Sequence, residues 1–498
     1  MCSVRSFAAM PGPQPLPLVG NSWRFALGRR PWRTTALDGA LWALRALAGT
    51  DGAAKVSKLF GHPDLVFPFS AEEVERIYRR EDVLPHRAVA PCLKHYKEEL
   101  RKNFFGDEPG LIGIHGEAWA RFRSRVSRPL AAPEAARASV PVLHHVATDF
   151  LDRMEDLIDE RRELPEYFIT ELYKWALESV GAWALGTRLN CLSADDASAR
   201  SIIACIHGFF YSVPKLELSA PLWRLYSTST YRTYIKALDD FWTLCLERLT
   251  DKGVCGQIAK TYGEKVATIL AFDLLLVGVD TTAAAAASTM YMLAKNERAQ
   301  RRLQTELDQN LPTDGTMNSK VLDKIPYLKA CIKESLRMKP VILGNGRCIQ
   351  SEAVISGYRV PKGSHVVFPH YILSNEERYF PSPDEFVPER WLRDGDVSGR
   401  GDHNADAGAR CERARAQYVA SKQKEMGIHP FASLPFGFGR RMCIGKRFAE
   451  VELQLLLALI FQRYDVSWRH GELSYSVTPT YLPNEPLRFT LHQRTRSA

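Results

Sequence analysis

Apolar residues recur along most of the chain at the three- and four-residue spacing of amphipathic helices. This pattern covers much of 140–185 and 231–249, while 264–293 is apolar on nearly every side, as in a helix that runs through a core. Shorter runs with strand-like alternation occur over 357–368 and 464–491, which predicts a hairpin and a set of short C-terminal strands. The predicted fold class is therefore mainly α with a small β region.

Two stretches depart from the helical pattern. Residues 11–20 contain Pro-Gly-Pro and two further prolines, which predicts a stiff, non-helical lead-in. Residues 393–427 are polar, charged and rich in Gly, Asp and Arg, which predicts a flexible insertion. No internal repeat and no linker between separately patterned halves is visible in the sequence.

Composition narrows the classes of partner. The net charge of +9 suits an acidic protein partner or an anionic membrane surface. A nucleic-acid partner is disfavoured because no basic run is interleaved with aromatic residues. The ten cysteines are scattered without a C-x-x-C pair, which argues for a reducing compartment and against a disulfide framework or a structural zinc site.

The stretch 431–450 combines a glycine-rich loop, one cysteine and the start of a helix. The spacing F-G-x-G-x-R-x-C-x-G is filled by Phe436, Gly437, Gly439, Arg441, Cys443 and Gly445. The glycines allow a tight turn and close approach of the backbone to a flat ligand. Cys443 lies just before a helical run, whose N-terminus favours a thiolate, and a thiolate is a strong electron donor to haem iron. The alternative is a structural cysteine beside a turn.

This spacing resembles the haem-ligand loop of the cytochrome P450 family. The resemblance extends over almost the whole chain from Pro11 onward and is weakest over 187–262 and 392–427. It implies the P450 fold, haem b as cofactor, Cys443 as the iron ligand and a monooxygenase activity. It also implies a single haem domain over 31–498. The connection 251–262 is shorter than in most relatives, so a helix in that connection is in doubt.

A second resemblance lies in the long apolar helix, where Gly278, Val279, Asp280, Thr281 and Thr282 resemble the P450 oxygen-activation motif A/G-G-x-D/E-T-T. Val277 replaces the usual small first residue, which predicts a tighter groove. By this match Thr281 steadies bound oxygen, and Asp280 feeds protons to it through water. The alternative is that these small residues serve helix packing, as the alanine run that follows does.

Three further sets of residues match the family. Glu334 and Arg337 lie three apart on one helix face, and with Arg390 they resemble the structural ion-pair triad that holds the haem loop. Contacts to the haem propionates are implied for Trp119, Arg123, Arg347 and Arg441. Basic residues on the thiolate side, which resemble the ferredoxin-docking surface of mitochondrial P450s, are Lys329, Lys333, Lys446 and Arg447. Taken singly, an exposed surface cation is the alternative for each arginine and lysine.

The N-terminal region adds a prediction of location. Several arginines and no acidic residue precede Asp38, and no apolar run approaches 20 residues, so 1–30 is interpreted as a targeting or lead-in segment, part of a mitochondrial presequence. The aromatic stretch 202–226 suits either core packing or a substrate-access lid that touches a membrane. We therefore expect a peripheral protein of the inner mitochondrial membrane, on the matrix side.

Together these resemblances imply a haem-thiolate monooxygenase that hydroxylates a steroid-like lipophilic substrate with O2 and electrons from an acidic iron–sulfur ferredoxin. The closest resemblance is to animal steroid hydroxylases, in particular those of arthropod ecdysteroid synthesis. One alternative is a microsomal-type P450 that uses a flavoprotein reductase. Others are a haem-thiolate isomerase or lyase, and a non-catalytic haem carrier or sensor.

Overall fold

A computed structural model describes all residues except 1–3, 18, 27–31, 34, 88, 219, 247–249, 313–315, 394–406, 479, 485 and 496–498. The α-helices are α1 (Ser22–Ala26), α2 (Leu37–Ala48), α3 (Ala71–Arg79), α4 (Pro91–His95), α5 (Lys102–Phe105), α6 (Gly116–Ala131), α7 (Pro133–Leu157), α8 (Phe168–Ala184), α9 (Ala197–Leu218), α10 (Ser229–Leu246), α11 (Gly253–Tyr262), α12 (Glu264–Lys295), α13 (Glu297–Asn310), α14 (Ser319–Asp323), α15 (Pro326–Met338), α16 (His370–Leu373), α17 (Ala407–Met426) and α18 (Lys446–Arg463).

The strands are short. They are β1 (Ala53–Val56), β2 (Leu65–Pro68), β3 (Asn345–Cys348), β4 (Ala353–Ile355), β5 (Tyr358–Val360), β6 (His365–Phe368), β7 (Tyr464–Ser467), β8 (Tyr475–Val477), β9 (Tyr481–Pro483) and β10 (Thr490–Gln493). They form one four-stranded sheet in the order β1-β2-β6-β3 and three two-stranded ladders, β10-β7, β4-β5 and β8-β9. The prediction of a mainly α fold with a small β region is confirmed.

The long helix α12 forms the centre of the helical part. It begins with Glu264 and ends with Lys295, which places each charge at the end of the helix dipole that stabilises it. Helices α8, α11, α15 and α18 pack against α12, because it is apolar on nearly all sides. Among the described residues, α12 alone is long and apolar enough to cross a membrane, and 83% of its most apolar window is buried, as in a core helix.

The predicted hairpin over 357–368 is wrong in its pairing. β5 pairs with β4, whereas β6 lies between β2 and β3 in the larger sheet. β6 is mostly buried, so its backbone N–H and C=O groups need hydrogen-bond partners on both edges, which β2 and β3 supply. The Pro-Lys-Gly segment therefore carries the chain from one sheet to another instead of closing a hairpin.

Two helices occur where the sequence did not predict them. The connection 251–262 contains α11, because Val254, Cys255 and Ile258 form a buried apolar face at helical spacing. Residues 407–426, predicted as flexible insertion, form α17, and the rest of that prediction, 394–406, lies outside the described residues. The polar composition of α17 misled the prediction, since Ala, Arg, Gln, Lys and Glu are strong helix formers.

The lead-in segment is attached to the β region. The Arg5 N–H donates to the Gly357 oxygen and the Arg359 N–H donates to the Arg5 oxygen, both at 2.9 Å. The Arg5 guanidinium lies 2.7 Å from the Asp51 carboxylate, and Met10 is 3% exposed. The described part of 1–30 is thus packed against the rest of the protein through Arg5 and Met10.

Candidate active site

The loop before α18 is closed by backbone hydrogen bonds. The Cys443 N–H donates to the Phe436 oxygen at 2.9 Å, and the Gly437 N–H donates to the Leu434 oxygen at 2.9 Å. Gly437 and Gly439 have φ values of +71° and +75°, which side-chain-bearing residues rarely adopt. A Cβ at Gly439 would also lie 2.5 Å from Glu81 Oε2. The two glycines therefore permit the turn that presents Cys443.

The Cys443 side chain can be reached by solvent, although many protein atoms surround it. Burial raises the pKa of its thiol more than the Gly445 N–H, Arg123 and Arg87 lower it. The Gly445 N–H at the start of α18 and the two arginines thus favour a thiolate, but in the chain by itself burial outweighs them. A cation at the sulfur would supply the missing stabilisation, as a bound iron does. No atom lies within 4 Å of where a Cβ on Gly445 would point, so open space adjoins the loop two residues after Cys443.

Arginines converge beside this space. Arg123 donates to the Met442 oxygen at 3.0 Å, and the Arg441 guanidinium stacks on the buried Trp119 ring at 3.6 Å. Arg347 pairs with Glu81. A further member, Arg87, was missed by sequence reasoning because it lies in an irregular loop that carries no recognised motif. We refer to Arg87, Arg123, Arg347 and Arg441 as the arginine cluster.

The arginine cluster carries more positive charge than the protein balances. Burial, Arg87 and Arg347 lower the pKa of Arg441 to about 9, and burial and Arg347 lower the pKa of Arg87. Within the described part of the chain, the buried Arg87 Nε has no hydrogen-bond partner. Burial, Arg347 and Arg87 together also lower the pKa of the neighbouring His370 to about 3.

Such a surplus indicates a site for an anion, since a buried charge is stable only when paired. The two propionates of haem b would supply two carboxylates, which arginines bind in a bidentate manner. The cysteine, the open space beside Gly445 and the arginine cluster therefore fit haem b. Arg123, Arg347 and Arg441, for which the sequence predicted propionate contacts, all belong to the arginine cluster, and the Arg441 guanidinium lies over the Trp119 ring.

Helix α12 holds the predicted oxygen-activation residues. Asp280 is 1% exposed, and its Oδ1 has no hydrogen-bond partner among the described residues. The Thr281 Oγ1 donates to the Val277 oxygen at 2.8 Å, a back-bond typical of a threonine within a helix. This arrangement keeps the Thr281 hydroxyl on a defined side of the helix, while Asp280 Oδ1 has no hydrogen bond within the described part of the chain.

The predicted ion-pair triad is assembled and buried. Glu334 accepts from Arg337 at 2.9 Å and from Arg390 at 3.1 Å. Trp391, which the sequence did not identify as a partner, donates its Nε1 hydrogen to Glu334 at 2.8 Å. Burial raises the pKa of Glu334, but Arg337, Arg390 and Trp391 more than offset it, so the net pKa is lowered. Gln423 of α17 reaches the same group, with its Oε1 3.5 Å from Arg390.

The predicted docking residues line one groove of about 510 Å³ that reaches Phe436 and Gly437 of the cysteine loop. We define the basic groove by its charged residues, the cations Lys329, Lys333, Lys446, Arg447 and Arg137 and the carboxylates Asp323 and Glu450. Sequence reasoning missed Arg137 and both carboxylates. Arg137 lies on α7, far from the others in sequence, so only the fold brings it to this groove.

Comparisons with known proteins agree with this site. The cytochrome P450 family model matches residues 94–489. Probable cytochrome P450 49a1 of Drosophila melanogaster is 47% identical over 514 residues, which cover 99% of this chain and 84% of that protein. Two further Drosophila melanogaster relatives are probable cytochrome P450 301a1, mitochondrial, at 38% identity over 97% of this chain and 86% of that protein, and probable cytochrome P450 12a5, mitochondrial, at 33% identity over 86% and 81%.

The family match spans the cysteine loop, helix α12 and the ion-pair triad. The alignments with two of these relatives, at 47% and 38% identity, cover nearly the full length of the chain that carries this set of haem-binding residues. The chain belongs to the cytochrome P450 family and is a haem b-dependent P450 monooxygenase.

Proposed function

We propose that this monooxygenase works in the mitochondrion, where it hydroxylates a lipophilic, steroid-like substrate with electrons from an acidic iron–sulfur ferredoxin. The observation that carries the proposal is the basic groove beside the cysteine loop, where five cations face two carboxylates. Surplus positive charge attracts an acidic protein and orients it before contact. Two of the relatives carry the word mitochondrial in their names, which supports the compartment.

The geometry described above supports the following assignments around the cofactor. Cys443 is the iron ligand, and the arginine cluster with Trp119 holds the two propionates. When bound, haem supplies the activation of O2. The chain contributes by fixing the position of the cofactor and by excluding water from its surroundings. The ion-pair triad, Glu334 with Arg337 and Arg390, holds the segment that precedes the cysteine loop.

Thr281 and Asp280 handle protons. The reaction releases one oxygen atom as water, which consumes two protons. Asp280 is buried and has an oxygen free to bind a proton, and Thr281 presents a hydroxyl on the next residue of the same helix. An acid and an alcohol in a dry pocket are suited to general acid catalysis.

The membrane contact is proposed at the segment between α9 and α10. Phe209 and Phe210 face the core, whereas Leu222, Leu225 and Tyr226 are exposed by 39%, 80% and 59%. Exposed apolar side chains in one segment suit insertion into a lipid surface, here the matrix face of the inner membrane. We also propose that 31–498 form one haem domain and that 1–30 serve as targeting or lead-in segment.

The test is reconstitution of turnover with two electron donors. We expect product formation with ferredoxin and its reductase, and a steep decline as salt rises, because exposed charges are screened beyond about 8 Å at physiological salt. Lys329→Glu with Lys333→Glu should raise the ferredoxin concentration needed for half-maximal rate. The matched control is Lys236→Glu with Lys260→Glu, the same charge change at exposed residues of α10 and α11, which should leave that concentration unchanged.

Efficient turnover with a flavoprotein reductase, indifferent to salt and to the Lys329 and Lys333 changes, would contradict the proposal and favour the microsomal alternative. The substrate class is tested separately by difference spectra with sterols, pregnanes and androstanes. A spectral shift with none of the three would reject a steroid-like substrate. The red-shifted Soret band of the reduced carbon monoxide complex, abolished by Cys443→His, tests the iron ligand.

A further inference from the structure

A histidine of helix α9 faces the buried acid of helix α12. His207 Nε2 lies 3.6 Å from Asp280 Oδ1, and the two side chains are 25% and 2% exposed. Within the described part of the chain, neither of these two buried atoms has a hydrogen-bond partner. The imidazole and the carboxylate are thus each other's nearest complement, although α9 and α12 are far apart in sequence.

The surroundings fix the imidazole in this direction. The Tyr173 ring of α8 meets it edge-on at 4.8 Å, and the Tyr211 ring, one turn along α9, meets it edge-on at 5.4 Å. Helix α10 approaches this part of α9 with Ala237, which lies against Gly208. In the part of the chain that the structure describes, the titratable groups recorded against His207 are the Asp280 carboxylate and the Tyr173 and Tyr211 phenols. Of these, the carboxylate is the one suited to exchange a proton with it.

The difference in solvent exposure between His207 and Asp280 indicates the direction in which a proton would pass between them. Asp280 is almost fully closed off from solvent, whereas a quarter of the His207 side chain is reachable by water. An acid that gives up a proton in every turnover has to regain one before the next. An imidazole can bind a proton at one ring nitrogen and release one from the other, so His207 can take a proton from water and pass it inward.

We propose that His207 is the residue that returns protons to Asp280 from solvent. The inference rests on the proposed role of Asp280 given above. In the step, the N–H bond at His207 Nε2 breaks and an O–H bond forms at Asp280 Oδ1. The imidazolium becomes a neutral imidazole, which then takes a proton from water. The separation of 3.6 Å is slightly longer than a hydrogen bond, as is common for proton-transfer partners before substrate binds.

The deciding variant is His207→Gln, whose amide can still hydrogen-bond to Asp280 but cannot carry a proton. In the full-length holoenzyme with ferredoxin, its reductase and 7-ethoxycoumarin as probe, product per NADPH should fall roughly tenfold and peroxide should rise. That loss is smaller than the hundredfold or more typical of removing a general acid itself, because water still reaches Asp280 slowly. The matched control His145→Gln, exposed on α7, should behave as wild type.

Two readouts separate proton supply from a structural role. Turnover driven by hydrogen peroxide, which brings oxygen, electrons and protons together, should be the same in His207→Gln and wild type. Thermal unfolding of His207→Gln, Asp280→Asn and the double variant should be non-additive, because the two side chains are in contact. His207→Asn, which is shorter, repeats the test in a second side chain.

Each of the remaining outcomes overturns a defined part of the proposal. If Asp280→Asn loses coupling while His207→Gln keeps it, His207 has no role in proton supply and the assignment of Asp280 stands. If Asp280→Asn also keeps full coupling, the proposed role of Asp280 fails first. If His207→Gln loses peroxide-driven turnover or the substrate-binding spectrum in parallel with coupling, His207 serves only the packing of α9.

Discussion

Two groups of arginines in this protein differ in what balances their charge. In the ion-pair triad, Arg337 and Arg390 share Glu334, and Arg337 donates further to the Ser374 and Pro383 oxygens at 2.9 and 2.8 Å. In the arginine cluster, the ion pair within the described residues is that of Arg347 with Glu81. A buried cation with its partner belongs to the scaffold, whereas a surplus of cations marks a place where a ligand brings the missing charge.

The largest effect is expected from breaking the balanced group. Glu334→Gln leaves two buried guanidinium groups without their carboxylate, which should cost roughly 3–5 kcal/mol of unfolding free energy. Denaturation of the haem-loaded protein measures this, and added haem should not restore the loss. Glu352→Gln, which removes an exposed carboxylate 3.3 Å from Arg359, is the control and should unfold like wild type. Equal stability of both variants would contradict a scaffold role.

The next largest effect is a loss of folding stability at acid pH. Burial first, then Arg347 and Arg87, lower the pKa of His370 to about 3, while the unfolded chain titrates near 6.5. Between these two pH values His370 binds a proton in the unfolded chain but not in the folded one. Its contribution to folding stability is therefore complete above pH 6.5 and decreases as the pH falls. At pH 5 this one residue should cost about 2 kcal/mol.

His370→Gln should therefore reduce the difference in unfolding free energy between pH 7 and pH 5. His115, whose pKa burial, His86 and Arg441 lower to about 3, should preserve part of the acid sensitivity. A slope identical to that of wild type would show that His370 is protonated in the folded protein, contrary to the surplus of positive charge inferred here.

A smaller effect is expected from the unbalanced group. Arg87→Gln removes one cation of the surplus, so it should speed haem transfer to an acceptor protein by about tenfold, the value of one charged hydrogen bond. Excess haem should restore its melting temperature by mass action, unlike that of Glu334→Gln. Arg359→Gln, an exposed arginine on β5, is the control. Unchanged haem transfer would remove Arg87 from the propionate site.

The smallest effect lies in the basic groove, where charges are exposed and partly paired. Asp323 lies 3.3 Å from Arg137 and 3.7 Å from Lys329, and such exposed pairs contribute at most about 1 kcal/mol. Asp323→Asn should free both cations and lower the half-saturating ferredoxin concentration by about threefold, within that limit. A higher concentration would show that Asp323 contacts the partner directly.

Sequence reasoning identified those parts of the candidate site whose residues lie close together in the chain. The loop around Cys443, the Asp280–Thr281 pair and the Glu334–Arg337 pair are each formed within a few residues, so a single element brings them together. Arg87, Arg137 and His207 were not found, because each reaches its partners only through the packing of elements distant in sequence. The same reason explains β6, whose apolar side chains predicted a strand but not which strands flank it.

For α17, the overall polarity of the segment predicted its structure less well than the helix propensity of its residues. Helix α17 is polar overall, yet Ala416 and Val419 pack against Val387, and Gln423 donates to the Tyr379 and Gly427 oxygens at 3.0 Å. A narrow apolar face was enough to anchor it. No pattern in the sequence indicated that its Gln423 would approach the ion-pair triad.

The attachment of Arg5 affects whether copies of this protein can associate through strand β5. By bridging to Tyr358 in parallel orientation, the lead-in segment occupies the outer edge of β5, whose other edge is taken by β4. An open strand edge is a template for pairing with other molecules. Removal of the residues before Pro11 would expose that edge and leave the space now filled by Met10 open, so proteolytic trimming at this end would favour self-association through β5.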